Sequence, residues 1–204
     1  MKKLILITVI CAFIASPSFG SIITYTNETN FEAQLQSGYY LEDWNYDPWY
    51  SLEPEISEPQ SFSSGVWSYD ISSPGANGLS GQPTYGAVAP YRIGSNLQVS
   101  FTGTLPTAVG GIFWATDING NNISNATVTI NFANGDSDTY NDTSNYPDFT
   151  GFISDTQISS ITITNGNWAT MDHLYVGNVV PVPATILLGL LGLGVGGWKM
   201  RKSL

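Results

Sequence analysis

Short runs of β-branched and aromatic residues, separated by turn formers, constrain this chain more than any other feature. They are Ile22 to Thr26, Gly65 to Ile71, Leu97 to Thr102, Val109 to Thr116, Ala126 to Phe132, Phe149 to Ser154, Ile158 to Thr164 and His173 to Val176. Several alternate apolar with polar residues, the period of a strand with one face buried. Between them stand Ser73-Pro74-Gly75, Asn77-Gly78, Asn119-Gly120, Asn134-Gly135 and Asn165-Gly166-Asn167, where Gly and Asn supply the φ values that tight turns need. Ala133-Asn134-Gly135-Asp136, directly after Ala126 to Phe132, reads as a hairpin. One early helix is expected from Thr29 to about Leu35, with Thr29 and Glu32 at capping-box spacing. The pattern predicts a mainly β fold, an antiparallel β-sandwich of jelly-roll-like form with one short N-terminal helix. A parallel α/β fold would need crossover helices for which no pattern exists.

The two ends differ in kind from this middle. Met1-Lys2-Lys3 precedes an apolar run from Leu4 to Ala15 and the small-residue stretch Ser16 to Ser21, the layout of a secretory signal peptide covering 1–20, with the cut between Gly20 and Ser21. The lone Cys11 follows the bulky Ile10 inside the apolar run, a poor lipidation context, so it leaves with the signal. At the other end Val179 to Ala184 leads into a Gly- and Leu-rich helix expected over 184–198, which stops at a basic cluster over 199–202, Lys199, Arg201 and Lys202. About 15 residues give roughly 22 Å of helix against a hydrocarbon core of about 30 Å, so it crosses marginally as a single transmembrane helix. Signal, extracytoplasmic domain and tail are therefore expected at 1–20, 21–178 and 179–204.

Charge partition supports that layout. The Lys and Arg residues are Lys2, Lys3, Arg92, Lys199, Arg201 and Lys202, so Arg92 alone stands between the apolar ends, together with all sixteen Asp and Glu. By the positive-inside rule both tips are cytoplasmic and the middle is outside. One cation against sixteen carboxylates repels phosphate, which excludes nucleic acid as a partner and disfavours an anionic membrane surface. About 160 residues suffice for one domain with a real core. Without Cys11 it has no disulfide, and packing must hold it.

The tail is also specific in its motif. Val180, Pro181, Val182, Pro183 and Ala184, then a Gly/Leu helix and a terminal basic cluster, resemble the PEP-CTERM sorting signal in its Val-Pro-x-Pro-Ala variant, with Val182 where the name-giving motif has glutamate. The resemblance implies an exported protein anchored in the inner membrane before processing. An exosortase, a membrane-embedded cysteine transpeptidase-like enzyme, would then cut near the motif, after signal peptidase has acted at the other end. In the middle, Asn27-x-Thr29-x-Phe31-x-Ala33, Thr107 to Asp117, Phe149 to Ser154 and Asp172-His173-Leu174-Tyr175-Val176-Gly177 resemble ectodomains that carry such tails, whose last strand tends to read Asp-Asn-Leu-Tyr-Val-Gly. His173 stands where asparagine is usual.

Two features of the middle bear on chemistry. Tyr39 to Pro59 combines Trp44, Tyr46, Trp49 and Tyr50 with several carboxylates and prolines and reads as a long loop around a short strand at Leu41 to Trp44. Aromatic faces beside carboxylates can hold a glycan; equally, the rings can plug one end of the sandwich while the acids face water. Asp117, Asn119 and Asn121 place oxygens at alternate positions of a turn, as loops that wrap Ca²⁺ do, but without the distal glutamate of an EF-hand. Asp136, Asp138 and Asp142 form a second acidic patch, and Asx-rich turns also arise for conformational reasons alone. Histidine occurs once, at His173, and no nucleophile-elbow sequence accompanies it. The expectation is no catalytic residue and no obligatory cofactor, with Ca²⁺ as the one candidate ion. The chain is thus expected to be a structural or interaction protein of the cell surface or exopolysaccharide matrix. A glycan-binding module, calcium-assisted or not, is the alternative, and a carbohydrate-active enzyme using two carboxylates stands behind both.

Overall fold

A computed structural model describes residues 21–44, 57–76, 78–82, 87–117, 119, 121–141 and 148–180. The elements in chain order are β1 (Ile22–Tyr25), α1 (Glu28–Glu32), β2 (Tyr40–Glu42), β3 (Gln60–Ser64), β4 (Trp67–Ser72), β5 (Leu79–Gln82), β6 (Ala87–Pro90), β7 (Leu97–Phe101), β8 (Ala108–Thr116), β9 (Asn122–Asn125), β10 (Thr127–Phe132), β11 (Ser137–Asn141), β12 (Phe149–Ser154), β13 (Ile158–Thr164) and β14 (Trp168–Gly177). They form two antiparallel sheets. One has the order β1-β12-β8-β14-β6-β5, with β2 also on β14 and β9 also on β8; the other has the order β11-β10-β13-β7-β4-β3.

Alternation in sequence becomes sidedness in the second sheet. Trp67, Tyr69 and Ile71 of β4, Leu97, Val99 and Phe101 of β7, and Val128, Ile130 and Phe132 of β10 are buried, while the residues between them are half-exposed. They meet Val109, Phe113, Phe152, Met171, Leu174 and Val176 of the first sheet in one core. Each such aliphatic or aromatic side chain is worth about 1.5–3 kcal/mol when fully buried, which is what a domain without disulfides must rely on. Asn134-Gly135 closes the expected hairpin between β10 and β11: Gly135 takes φ 92° and its N–H donates to the Phe132 carbonyl at 3.1 Å.

β8 and β14, at the centre of the first sheet, are buried on nearly every residue, because that sheet's outer face is covered. Phe31 of α1 is fully buried there with Leu35, Phe149, Ile153 and Tyr175 in a second, smaller apolar cluster. Its seat is made by glycine. A Cβ on Gly110 or Gly151 would come within 3 Å of the Phe31 ring, so only residues without one let the ring lie on β8 and β12. The ring packs against Phe149 at 5.3 Å between centroids and edge-on to Tyr175 at 6.0 Å.

Two expectations are corrected by this architecture. The helix is capped by Asn27, whose side chain accepts from the Asn30 N–H at 2.9 Å, so Thr29 lies inside the first turn and the Thr29–Glu32 capping box does not form; the helix ends at Glu32 with Ala33 as C-cap. The last strand begins at Trp168, not at His173, since Trp168 to Asp172 pair with Thr116 to Ile112 of β8. The two apolar ends, 4–15 and 184–198, fall outside the described residues, and among those described no helix is long and apolar enough to cross a membrane.

Candidate functional site

The outer face of the first sheet gathers ionisable groups around the end of β14. Asp172 pairs with Ile112 and Tyr175 with Gly110, leaving His173 and Leu174 opposite a single residue of β8. This is a bulge, and His173 occupies it with φ 51°, a left-handed conformation that Asn, Asp and His adopt more readily than other non-glycine residues. Asp172 holds the bulge in place: its carboxylate accepts the His173 backbone N–H at 2.7 Å and lies 2.9 Å from the ring Nδ1. The imidazole pKa is raised above its ordinary value, chiefly by the hydrogen bond to Asp172, with partial burial opposing and the nearby negative charges of Asp172, Glu28 and Asp43 adding to the rise.

Carboxylate–phenol pairs adjoin this couple. The Tyr175 hydroxyl donates to Glu28 Oε1 at 2.7 Å, and the Tyr39 hydroxyl donates to Glu32. Burial, then the hydrogen bond and charge of Glu28, push the Tyr175 phenol well above its usual range, while Tyr39 is raised mainly by its bond to Glu32. The Tyr175–Glu28 pair ties α1 to β14, and the Tyr39–Glu32 pair ties the segment after α1 back to the helix. Both phenols therefore stay protonated as donors at any physiological pH, Tyr175 fastening the helix to the sheet and Tyr39 bracing the covering segment on itself. Tyr175 and Glu28 are 147 positions apart, beyond the reach of any spacing argument.

The candidate calcium turn is closed on itself. Asp117 Oδ1 accepts the N–H groups of Asn119 at 2.8 Å and Asn121 at 2.9 Å, Oδ2 accepts Asn121 Nδ2 at 3.0 Å, and the Asp117 N–H donates to the Asn121 carbonyl at 3.0 Å. The pKa of Asp117 is lowered, first by the Asn121 side chain and then by the Asn121 backbone N–H. Its geometry is that of an Asx turn, with both carboxylate oxygens facing donors of the same loop. Asp136 is engaged similarly, accepting from Asn134 Nδ2 at 2.8 Å, and Asp138 caps the Thr139 N–H at 2.8 Å; Asp142 lies outside the described residues. Among the described residues no three His, Cys, Asp or Glu side chains converge as a metal site requires.

Trp44 is core and not a stacking platform. It is fully buried between the sheets, with φ 45°, and its backbone N–H donates to Glu42 Oε1 at 3.1 Å. Glu42 is itself buried and also accepts the Tyr40 hydroxyl. The glycan-stacking role expected of Trp44 is thereby corrected, because a ring with no exposed face cannot meet a sugar. Tyr46, Trp49 and Tyr50 lie outside the described residues.

The residues expected to form a sorting motif begin at one edge. Beyond β14 the chain is pinned to the segment after α1: Val179 bridges to Leu35, the Val180 N–H donates to the Gln34 carbonyl at 2.9 Å, and Gln36 Nε2 donates to the Val179 carbonyl at 2.6 Å. The Val180 side chain is exposed. Pro181, Val182, Pro183, Ala184, Lys199, Arg201 and Lys202 lie outside the described residues, as does Gly20. Ser21 is described and exposed, and its backbone N–H donates to Asp155 Oδ1 at 3.2 Å. A cavity of about 90 Å³ opens between the edge strands β1 and β11, lined by Ile22, Thr24, Ile130, Tyr140 and Phe152 among others; it is far below the several hundred Å³ of a small-molecule site. No family model, curated protein or solved structure matches the chain.

Proposed function

We propose that this is an exported structural or interaction protein of the cell surface or exopolysaccharide matrix, delivered by a signal peptide and by a C-terminal tail that an exosortase reads and cuts. Charge partition carries the reading: Arg92 is the one Lys or Arg between the two apolar ends, and basic residues cluster at both tips. The folded domain is compatible with that route. It has two sheets around an apolar core, no cysteine after Cys11, and an exit at Val180 where the sorting motif begins. We read the connectivity as jelly-roll-like, because β7 and β8 cross from one sheet to the other beside β13 and β14, β7 pairing with β13 and β8 with β14. The burial of Trp44 and the self-closed turn at Asp117 weigh for the structural reading over a calcium-assisted glycan module.

Pro181→Ala with Pro183→Ala, in the full chain expressed in a host that carries an exosortase, is the direct test. A larger, membrane-retained form should accumulate. Unchanged size and location would sink the sorting claim.

A further inference from the structure

β1 is the edge strand of the first sheet, and its register places Ile22 opposite Ser154 of β12. Ser21 therefore arrives beside the turn that follows β12, where Asp155 meets its backbone nitrogen at 3.2 Å. That carboxylate is oriented within the turn, its Oδ1 also accepting the Thr156 hydroxyl at 3.2 Å while the Thr156 N–H donates to Ser154 Oγ at 3.0 Å. In the uncut chain the nitrogen of Ser21 is an amide. Hydrolysis of the Gly20–Ser21 bond consumes one water, leaves a carboxylate on Gly20 and makes that nitrogen an α-ammonium.

We infer that Asp155 is the receiving site for the α-ammonium of the processed chain, so that signal cleavage turns a neutral hydrogen bond into an ion pair that fastens β1 to the sheet. The inference rests on the proposed signal cut between Gly20 and Ser21. Two observations support it independently of each other. One is the 3.2 Å approach, which a cut one residue to either side would forfeit. The other is composition: between the apolar ends Arg92 is the one basic Lys or Arg side chain facing sixteen carboxylates, so the ammonium released by processing is a rare partner for an acid in this domain. Ion pairing favours the charged form of the amine.

The test uses the exported protein, purified from cells, as wild type and as Asp155→Asn. Intact mass first identifies the N-terminal residue; the α-amine is then reductively methylated with ¹³C and titrated by NMR. A chain starting at Ser21, whose amine titrates about half a unit higher in wild type than in Asp155→Asn and loses that difference in 1 M salt, is the expected result. A Ser21 start with equal titration in both proteins overturns the pairing and leaves the cleavage reading standing. A start elsewhere overturns both. Should Asp155→Asn fail to fold, Asp155→Ser takes its place in the same titration, and equal titration of the amine in that variant and in wild type overturns the pairing.

Discussion

His173 shows how one backbone angle can govern a residue choice. The bulge in β14 demands φ near 51°, which Asn tolerates through its short polar side chain and a β-branched residue does not. We predict that, above the pH range in which the imidazole titrates, His173→Asn leaves stability nearly unchanged, whereas His173→Val costs about 1–2 kcal/mol, both read from urea denaturation of the exported protein. The same residue sets a pH dependence. Its pKa is raised in the folded state by Asp172, so its protonation stabilises the fold in full below the unfolded value of about 6.5 and that contribution is lost as pH rises through the higher folded value. The stability difference between wild type and His173→Asn should therefore shrink in the wild type's disfavour as pH is taken from about 6 upward. A difference independent of pH would remove the Asp172–His173 pairing from the account.

Among the elements, α1 depends on glycines that belong to other strands. A five-residue helix has almost no stability of its own; it persists because Phe31 is seated on Gly110 and Gly151 and because Glu28 holds Tyr175. Gly151→Ala is predicted to destabilise the protein by about 1–3 kcal/mol through overpacking against that ring. Combined with Phe31→Leu the loss should fall short of the sum of the two single changes, since both act on one contact; strict additivity would contradict the seat. Strands that alternate, such as β4, β7 and β10, were legible because their faces see different solvents. β5 and β6 were not: Leu79 to Gln82 and Ala87 to Pro90 are short and contain Gly or Pro, and they are strands because Val88 pairs with Met171 of β14. The length of β14 was hidden for the opposite reason, as burial on both faces erases alternation. Asn27 could have been recognised as a cap, but Thr29 offered a competing pattern with Glu32. The couple of Asp172 and His173 lay adjacent in sequence; its conformation came from a bulge that only pairing with β8 creates.

Taken together, the domain is held by packing between two sheets and carries its charge almost entirely as carboxylate, with basic residues displaced to the two tips. The topology proposed above, with both tips in the cytoplasm and the middle outside, would account for that distribution through the positive-inside rule. Reversing the charge at the C-terminal tip, by Arg201→Glu with Lys202→Glu, should weaken the stop and block processing, seen as a larger form retained in the membrane fraction. The most direct measurement is the intact mass of the wild-type chain recovered from cytoplasmic, membrane and extracellular fractions. The account predicts a surface or extracellular product that begins at Ser21 and has lost the tail beyond the Val180 to Ala184 motif. A full-length 22.0 kDa chain confined to the cytoplasm would contradict it.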